Sequence, residues 1–172
     1  LFLQYLGEGI ISMQSNVLSV PRVDTHLLKF SQAGVLILVA LSFLLNLPVL
    51  IAITGLILAL SAIKPAAGPF RFLYQQVFVR LGWLKPHVVE DDPAPHRFAQ
   101  GVGATFLLVA TLVFFLTSAI TVGWILSLIV FVLAAINLFV GFCAGCFVYY
   151  HLGRLGVMPR VRYDGGFRWR GV

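Results

Sequence analysis

Two stretches of this chain contain no Asp, Glu, Lys or Arg: Phe30 to Ile63 and Phe98 to Gly153. Helices on the surface of a soluble protein alternate an apolar face with a charged one, so runs of this kind cannot be surface helices. They have the composition of segments that cross a lipid bilayer. Charged residues make up 10% of the whole chain, against about 25% in an ordinary soluble domain. An integral α-helical membrane protein with one small bundle of spans is expected.

Local breakers divide the two runs. "NLP" at 46–48 turns the first into a hairpin with spans near 30–46 and 49–64, and "TSAITVG" at 117–123 turns the second into spans near 96–117 and 122–142. The first two are short against the ~20 residues that a bilayer core requires, which calls for snorkelling by Lys29 and Lys64 or for local thinning. Asp24 and Asp92 stand where helix N-caps belong. Asp24, Phe30 and Gln32 match Asp92, Phe98 and Gln100, with Lys29 opposite Arg97, and "RLG" recurs at 80–82 and 154–156. The expected fold is therefore all-α: four transmembrane helices forming two parallel-repeat helical hairpins, each followed by an interfacial amphipathic helix, at 69–83 and 143–155. The stretch 85–95 reads as a Pro-rich polar loop. The membrane domain covers 22–156, between an N-terminal arm, 1–21, and an arginine-rich tail, 157–172.

All twelve Lys and Arg lie in the arm, the central segment or the tail, and neither hairpin turn holds one. The positive-inside rule then puts both termini in the cytoplasm. The tail "RVRYDGGFRWRG" suits anionic lipid or a partner's acidic surface, and its position beside the bilayer argues against a nucleic-acid role. The first sixteen residues lack the features of a secretory signal, and Met13 is the expected initiator.

The chemistry-bearing residues are few. Cys143 and Cys146, the only cysteines, form a C-x-x-C pair just past the last span. A helix break at Gly141 would set Cys143 at a fresh helix N-terminus, where amides and the helix dipole favour a thiolate. Cys143 is then the attacking thiol and Cys146 the resolving one, with Arg71, Arg154 and Asn137 as thiolate-stabilising candidates. The competing readings are two small packing residues, or part of a metal site with His87 and His151 as the nearest histidines. Gln32 and Gln100, one turn inside the membrane at matching positions, are candidates for a shared polar pocket. No cofactor and no resident metal are expected; heme held by His26 and His96, or a quinone dissolved in the lipid, are the alternatives.

"DDPAPHRFAQGVGATFLL" followed by a span and then by "GFCAGCFVYY" resembles the bacterial membrane family catalogued as domain of unknown function 4395. The resemblance covers about 22–152 and rests on Asp92, Pro93, Pro95, Arg97, Phe98, Gly141, Phe142, Cys143, Gly145, Cys146 and Tyr149. It implies a four-helix protein of the bacterial inner membrane, in company with thioredoxin-like or sulfurtransferase proteins.

Two functions of different classes follow. One is a membrane thiol–disulfide or sulfur-relay protein whose C-x-x-C works with a thioredoxin-like or rhodanese-like partner on the cytoplasmic face. The other is a non-catalytic accessory subunit of a larger membrane complex, which charge-free hairpins, aromatic flanks and a basic tail would equally suit.

Overall fold

The computed structural model describes residues 22–65, 68–82, 85–117 and 119–159; the N-terminal arm and the arginine-rich stretch 160–171 lie outside the described residues. Strand β1 (Arg22–Asp24) leads into helix α1 (Thr25–Leu44) and, after a turn, α2 (Pro48–Ile63). A short helix α3 (Pro69–Leu73) continues as one π-helical stretch over Tyr74–Val79. The same order then recurs as β2 (Val88–Glu90), α4 (Pro93–Leu116), α5 (Ile120–Val140) and α6 (Ala144–Arg154).

Side-chain caps set where the long helices begin. Asp24 Oδ1 accepts the His26 and Leu27 amides at 3.0 and 3.3 Å, and Asp92 Oδ1 accepts the Ala94 amide at 2.9 Å. Both first helices of the hairpins therefore start several residues before the apolar runs do, at Thr25 and Pro93 rather than 30 and 96. At the first turn, Asn46 takes a left-handed φ of 51° and Pro48 opens α2. Ser42, fully buried, closes the turn by donating its hydroxyl to the Leu47 carbonyl at 2.7 Å.

The long helices form a ring in which α2 lies against α4, α4 against α5, α5 against α1 and α1 against α2, with the most extensive packing between α2 and α4. The two hairpins thus pack side by side, with α2 against α4 and α1 against α5. The core is made of Val35, Val39, Ile51, Leu58, Leu107, Ala110 and Val130 together with small polar residues. Thr54, Ser61 and Ser127 are buried there, each returning its hydroxyl to the carbonyl four residues earlier at 2.7 to 2.9 Å. Large apolar side chains face outward instead, among them Ile37, Leu56, Leu112, Phe115, Ile125, Leu128 and Phe139. Small residues inside and bulky apolar ones outside is the packing expected where the surrounding solvent is hydrocarbon. Among the described residues, three helices are long and apolar enough to cross a membrane, namely α1, α4 and α5; α2 is apolar but has 16 residues.

Two features depart from the sequence-based expectation. Residues 88–90 are not loop: Val88–Glu90 pairs antiparallel with Arg22–Asp24, with Val23 opposite Val89. The β-branched pair Val88–Val89 suits a ladder, and pairing satisfies backbone groups that a loop would leave to solvent. Among the described residues, the fold is thus helical with one two-stranded sheet, which joins the segments leading into α1 and α4. The helix expected over 69–83 ends at Val79, and the chain turns through Gly82 at a φ of 72°. Phe70 and Tyr74 are its buried residues, and Phe30 packs against the Tyr74 and Phe78 rings. Eleven helical residues, 69–79, extend about 16 Å, half the thickness of a bilayer core.

Arg97 joins the units at the other corner. Its Nε and Nη2 donate to the Ala62 and Ile63 carbonyls at 3.0 and 3.2 Å, satisfying the C-terminal end of α2. These are charge-assisted bonds, but the guanidinium is exposed, so Arg97→Ala is expected to lower unfolding stability by only about 1 kcal/mol. Arg97→Lys should recover part of that, as one donor replaces a fork; chemical denaturation in detergent micelles measures both.

Candidate redox site

The site assembles at the end of the bundle where α1 and α4 begin and α5 ends. Helix α5 stops because Gly141 adopts a left-handed φ of 76° while its amide still bonds the Asn137 carbonyl at 3.1 Å. Two residues later the chain turns back into a helix, and Cys143 is the N-cap of α6. Its carbonyl accepts the Phe147 amide at 3.0 Å, and its Sγ accepts the Cys146 amide at 3.2 Å. The sulfur occupies the place that a Ser or Asp side chain takes at most N-caps. The helix break and the N-terminal position of Cys143 are both as the sequence leads one to expect.

Cys143 and Cys146 form a disulfide, with Cα atoms 5.2 Å apart, inside the usual range for such a bond. Cys143 is 6% exposed, while Cys146 is half-buried. His96, in the first turn of α4, brings Nδ1 to 3.6 Å from Cys146 Sγ. Its Nε2 lies 3.1 Å from Asp91 Oδ2, and the other Asp91 oxygen accepts the Asp92 amide at 2.8 Å. The carboxylate thus fixes the ring from behind by accepting a hydrogen bond from Nε2–H. In the neutral imidazole, Nδ1 then carries the lone pair toward Cys146. A dithiol at this site would have a base within reach of one thiol and a helix N-terminus at the other.

Next to Cys143 lies a small cavity lined by Lys29, Gln32, His96, Gln100, Asn137 and Cys143, with Leu28 and Ala99. Its volume is about 20 Å³, room for roughly one water molecule. Gln32 and Gln100 both line this cavity, as do Asn137 and Cys143. A second cavity, of about 210 Å³, is apolar and lies between α1 and α5 around Phe43, Trp124 and Phe131. It is roughly 20 Å along α1 from the first and brings no titratable group to the sulfurs.

Other sequence candidates stand elsewhere. Arg154 is at the last turn of α6, roughly 16 Å along the axis from Cys143. Arg71 is on α3, which packs against α1 and α2. Lys29 lines the same cavity as Cys143. His26 donates to or accepts from no sulfur: its Nδ1 meets the Lys85 carbonyl at 2.7 Å and its ring faces His87. His87 in turn contacts Thr25 Oγ1 at 3.0 Å, and His151 packs on the Phe147 ring. The histidine brought to the cysteines is His96, which the sequence pairs with His26 only as a heme candidate. The sequence alone assigns no role to Asp91. The signal for both is the acidic "EDDPAPH" segment, whose partner across the fold is the C-x-x-C.

Glycine at position 145 is what lets these groups meet. A Cβ there would lie 2.5 Å from Ala99 Cβ and 2.7 Å from Ala99 Cα, so α6 rests directly on the α4 backbone one turn beyond His96. No curated protein and no solved structure matches the chain. Residues 23–154 match the family described as Domain of unknown function (DUF4395), and that span contains the strand pair except Arg22, all the helices that build the site, His96 and both cysteines. The chain belongs to the DUF4395 family.

Proposed function

We propose that this chain is a membrane thiol–disulfide exchange protein, in which Cys143 and Cys146 cycle between disulfide and dithiol against a thioredoxin-like protein in the cytoplasm. The observation that carries the reading is the convergence of a disulfide, a helix N-terminus and a carboxylate-held histidine on one spot. A packing role for two cysteines requires none of these.

The setting is a bacterial inner membrane crossed four times, with both termini in the cytoplasm. Helix α2, at 16 residues about 24 Å long, serves as the fourth span, aided by local thinning. Every described Lys and Arg stands at the sulfur end of the bundle or in the segments joined to it, which supports a cytoplasmic site. The segments 69–79 and 144–154 then lie at the headgroup level.

In the reducing direction, a partner thiolate attacks the more exposed sulfur, Cys146. The Cys143–Cys146 bond breaks and its electron pair goes to Cys143, whose thiolate is held by the Cys146 amide and the start of α6. The partner's second thiolate attacks the partner sulfur of the mixed disulfide and releases Cys146, to which protonated His96 returns a proton. The partner leaves as a disulfide, having given up two electrons and two thiol protons: one proton reaches Cys146 through His96, and the other goes to solvent while Cys143 stays a thiolate. The burial of Cys143 favours this order over the sequence-based one, so Cys146 exchanges with the partner and Cys143 resolves.

The test is stopped-flow exchange between the purified protein in nanodiscs and a reduced thioredoxin. His96→Gln is expected to slow exchange by about 10²-fold while the disulfide still forms, as loss of an acid–base group does. Asp91→Asn should give a smaller loss, because the ring keeps its place but loses the group that fixes its tautomer. Sulfane-sulfur uptake from a rhodanese-like donor without dithiol exchange would replace this reading by a sulfur relay. Absence of both reactions would favour the accessory subunit.

A further inference from the structure

We infer that the reduced form of this site is a zinc site, with Cys143 Sγ, Cys146 Sγ and His96 Nδ1 as ligands. This rests on the reading that the disulfide opens to a dithiol, and it adds a ligand class that exchange chemistry does not require. The three donor atoms lie within 4.8 Å of one another. Tetrahedral zinc, with bonds of about 2.3 Å to sulfur and about 2.0 Å to nitrogen, has a sulfur–nitrogen edge of about 3.5 Å. The Cys146 Sγ to His96 Nδ1 separation is 3.6 Å, so one edge of that tetrahedron is already in place. Once reduced, the sulfurs need only separate by side-chain rotation to complete the face.

A second observation points to a cation independently of the ligand count. The remaining nitrogen of His96 is held by Asp91, and the other oxygen of that carboxylate is bonded to a backbone amide. Ligand histidines are oriented by a carboxylate in this way, which raises their basicity and fixes which nitrogen faces the metal. Two thiolates neutralise the charge of Zn2+, which suits a half-buried site. Two of the three ligand residues, His96 and Cys143, also line the cavity of about 20 Å³, which has room for one water as a fourth ligand. Three protein ligands and an exchangeable one are the pattern of an open zinc site rather than a closed structural one.

Binding releases two protons as the thiols become thiolates. Oxidation of the pair removes two electrons, forms the disulfide and expels the ion, so metal and disulfide exclude each other. The redox state of the partner then decides whether the site holds zinc.

The experiment uses the full chain in detergent, treated with a chelator, reduced with a phosphine and titrated with Co2+ and then Zn2+. The expected result is one equivalent of Co2+ with sulfur-to-cobalt charge-transfer absorbance and the visible bands of a tetrahedral ion, displaced by Zn2+. The disulfide form should show none of it. His96→Gln should weaken Zn2+ binding at least tenfold with both thiols still titratable, and Asp91→Asn about tenfold, the usual effect of losing a carboxylate behind a ligand histidine. Reduced protein with two titratable thiols and no cobalt spectrum would overturn the zinc site and leave thiol exchange standing. Unchanged affinity in His96→Gln would overturn it too. Cysteines that resist reduction in the folded protein would overturn both.

Discussion

Gly145→Val is expected to reduce exchange with a dithiol partner by at least about 10²-fold, although neither cysteine nor His96 is altered. A Cβ at this position would sit 2.5 Å from Ala99 Cβ and 2.7 Å from Ala99 Cα. Carbon atoms pack at about 3.5–4.0 Å, so helix α6 must move away from α4 by about 1 Å. The obstacle is helix backbone, not the end of a flexible side chain, so α4 cannot yield. Ala99 is one turn beyond His96, and Cys146 follows Gly145 directly. The displacement therefore opens the gap between sulfur and imidazole, now 3.6 Å. A misplacement of that size between reacting groups is worth about 10²-fold in rate. Gly145→Ala should act in the same direction and less strongly. Disulfide formation by a chemical oxidant should survive in both, because the bond joins residues of one helix turn. A Gly145→Val protein that exchanges at the wild-type rate would show that contact between α6 and α4 does not set the reactivity.

The second large effect distinguishes the two sulfurs. Removing either cysteine should abolish the two-electron cycle, but the single variants should fail differently. Cys143→Ser leaves the half-exposed Cys146 beside His96 with no resolving thiol. It should accumulate a stable mixed disulfide with a thioredoxin whose own resolving cysteine is replaced and whose remaining cysteine has first been activated as a thionitrobenzoate disulfide, the aryl thiolate leaving as Cys146 attacks. Cys146→Ser leaves Cys143, 6% exposed, at the N-cap of α6. That thiol should trap the partner poorly and react with a bulky maleimide at least about tenfold more slowly than Cys146 does in the first variant, since access limits the reactivity of a thiol as its ionisation does. Electrophoresis without reductant shows the trapped complex, and the labelling rates come from the same samples. The reverse pattern would restore Cys143 as the attacking sulfur.

Much of this site is readable along the chain because the relevant signals are local. Asp24 and Asp92 mark helix starts by cap chemistry, and Gly141 marks a helix end because its left-handed φ suits glycine. The position of Cys143 follows from that break. Gln32 and Gln100 were paired by the repeat, and they share one cavity. What was not legible depends on contacts between distant segments. Val88–Glu90 becomes a strand only because Arg22–Asp24 lies alongside. The value of His96 depends on α6 folding back onto α4, which brings it to a cysteine fifty positions later. Distance along α6 also separates Arg154 from the sulfurs, since a helix carries its last residue away from its first. Charge counts along a sequence do not convey that direction; the dipole of α6 does, and it places basic residues at the end away from Cys143.

The most direct test is a thiol–disulfide titration of Cys143 and Cys146 in inside-out membrane vesicles. The vesicles are equilibrated in buffers of reduced and oxidised dithiol, quenched with acid and labelled with a heavy maleimide after denaturation. The expected result is a reversible, two-electron transition in which both cysteines change together, and which a membrane-impermeant reductant reaches from the cytoplasmic face. Cysteines that stay in a single state across the whole range, with thioredoxin or without, would contradict the claim that this pair is a redox centre.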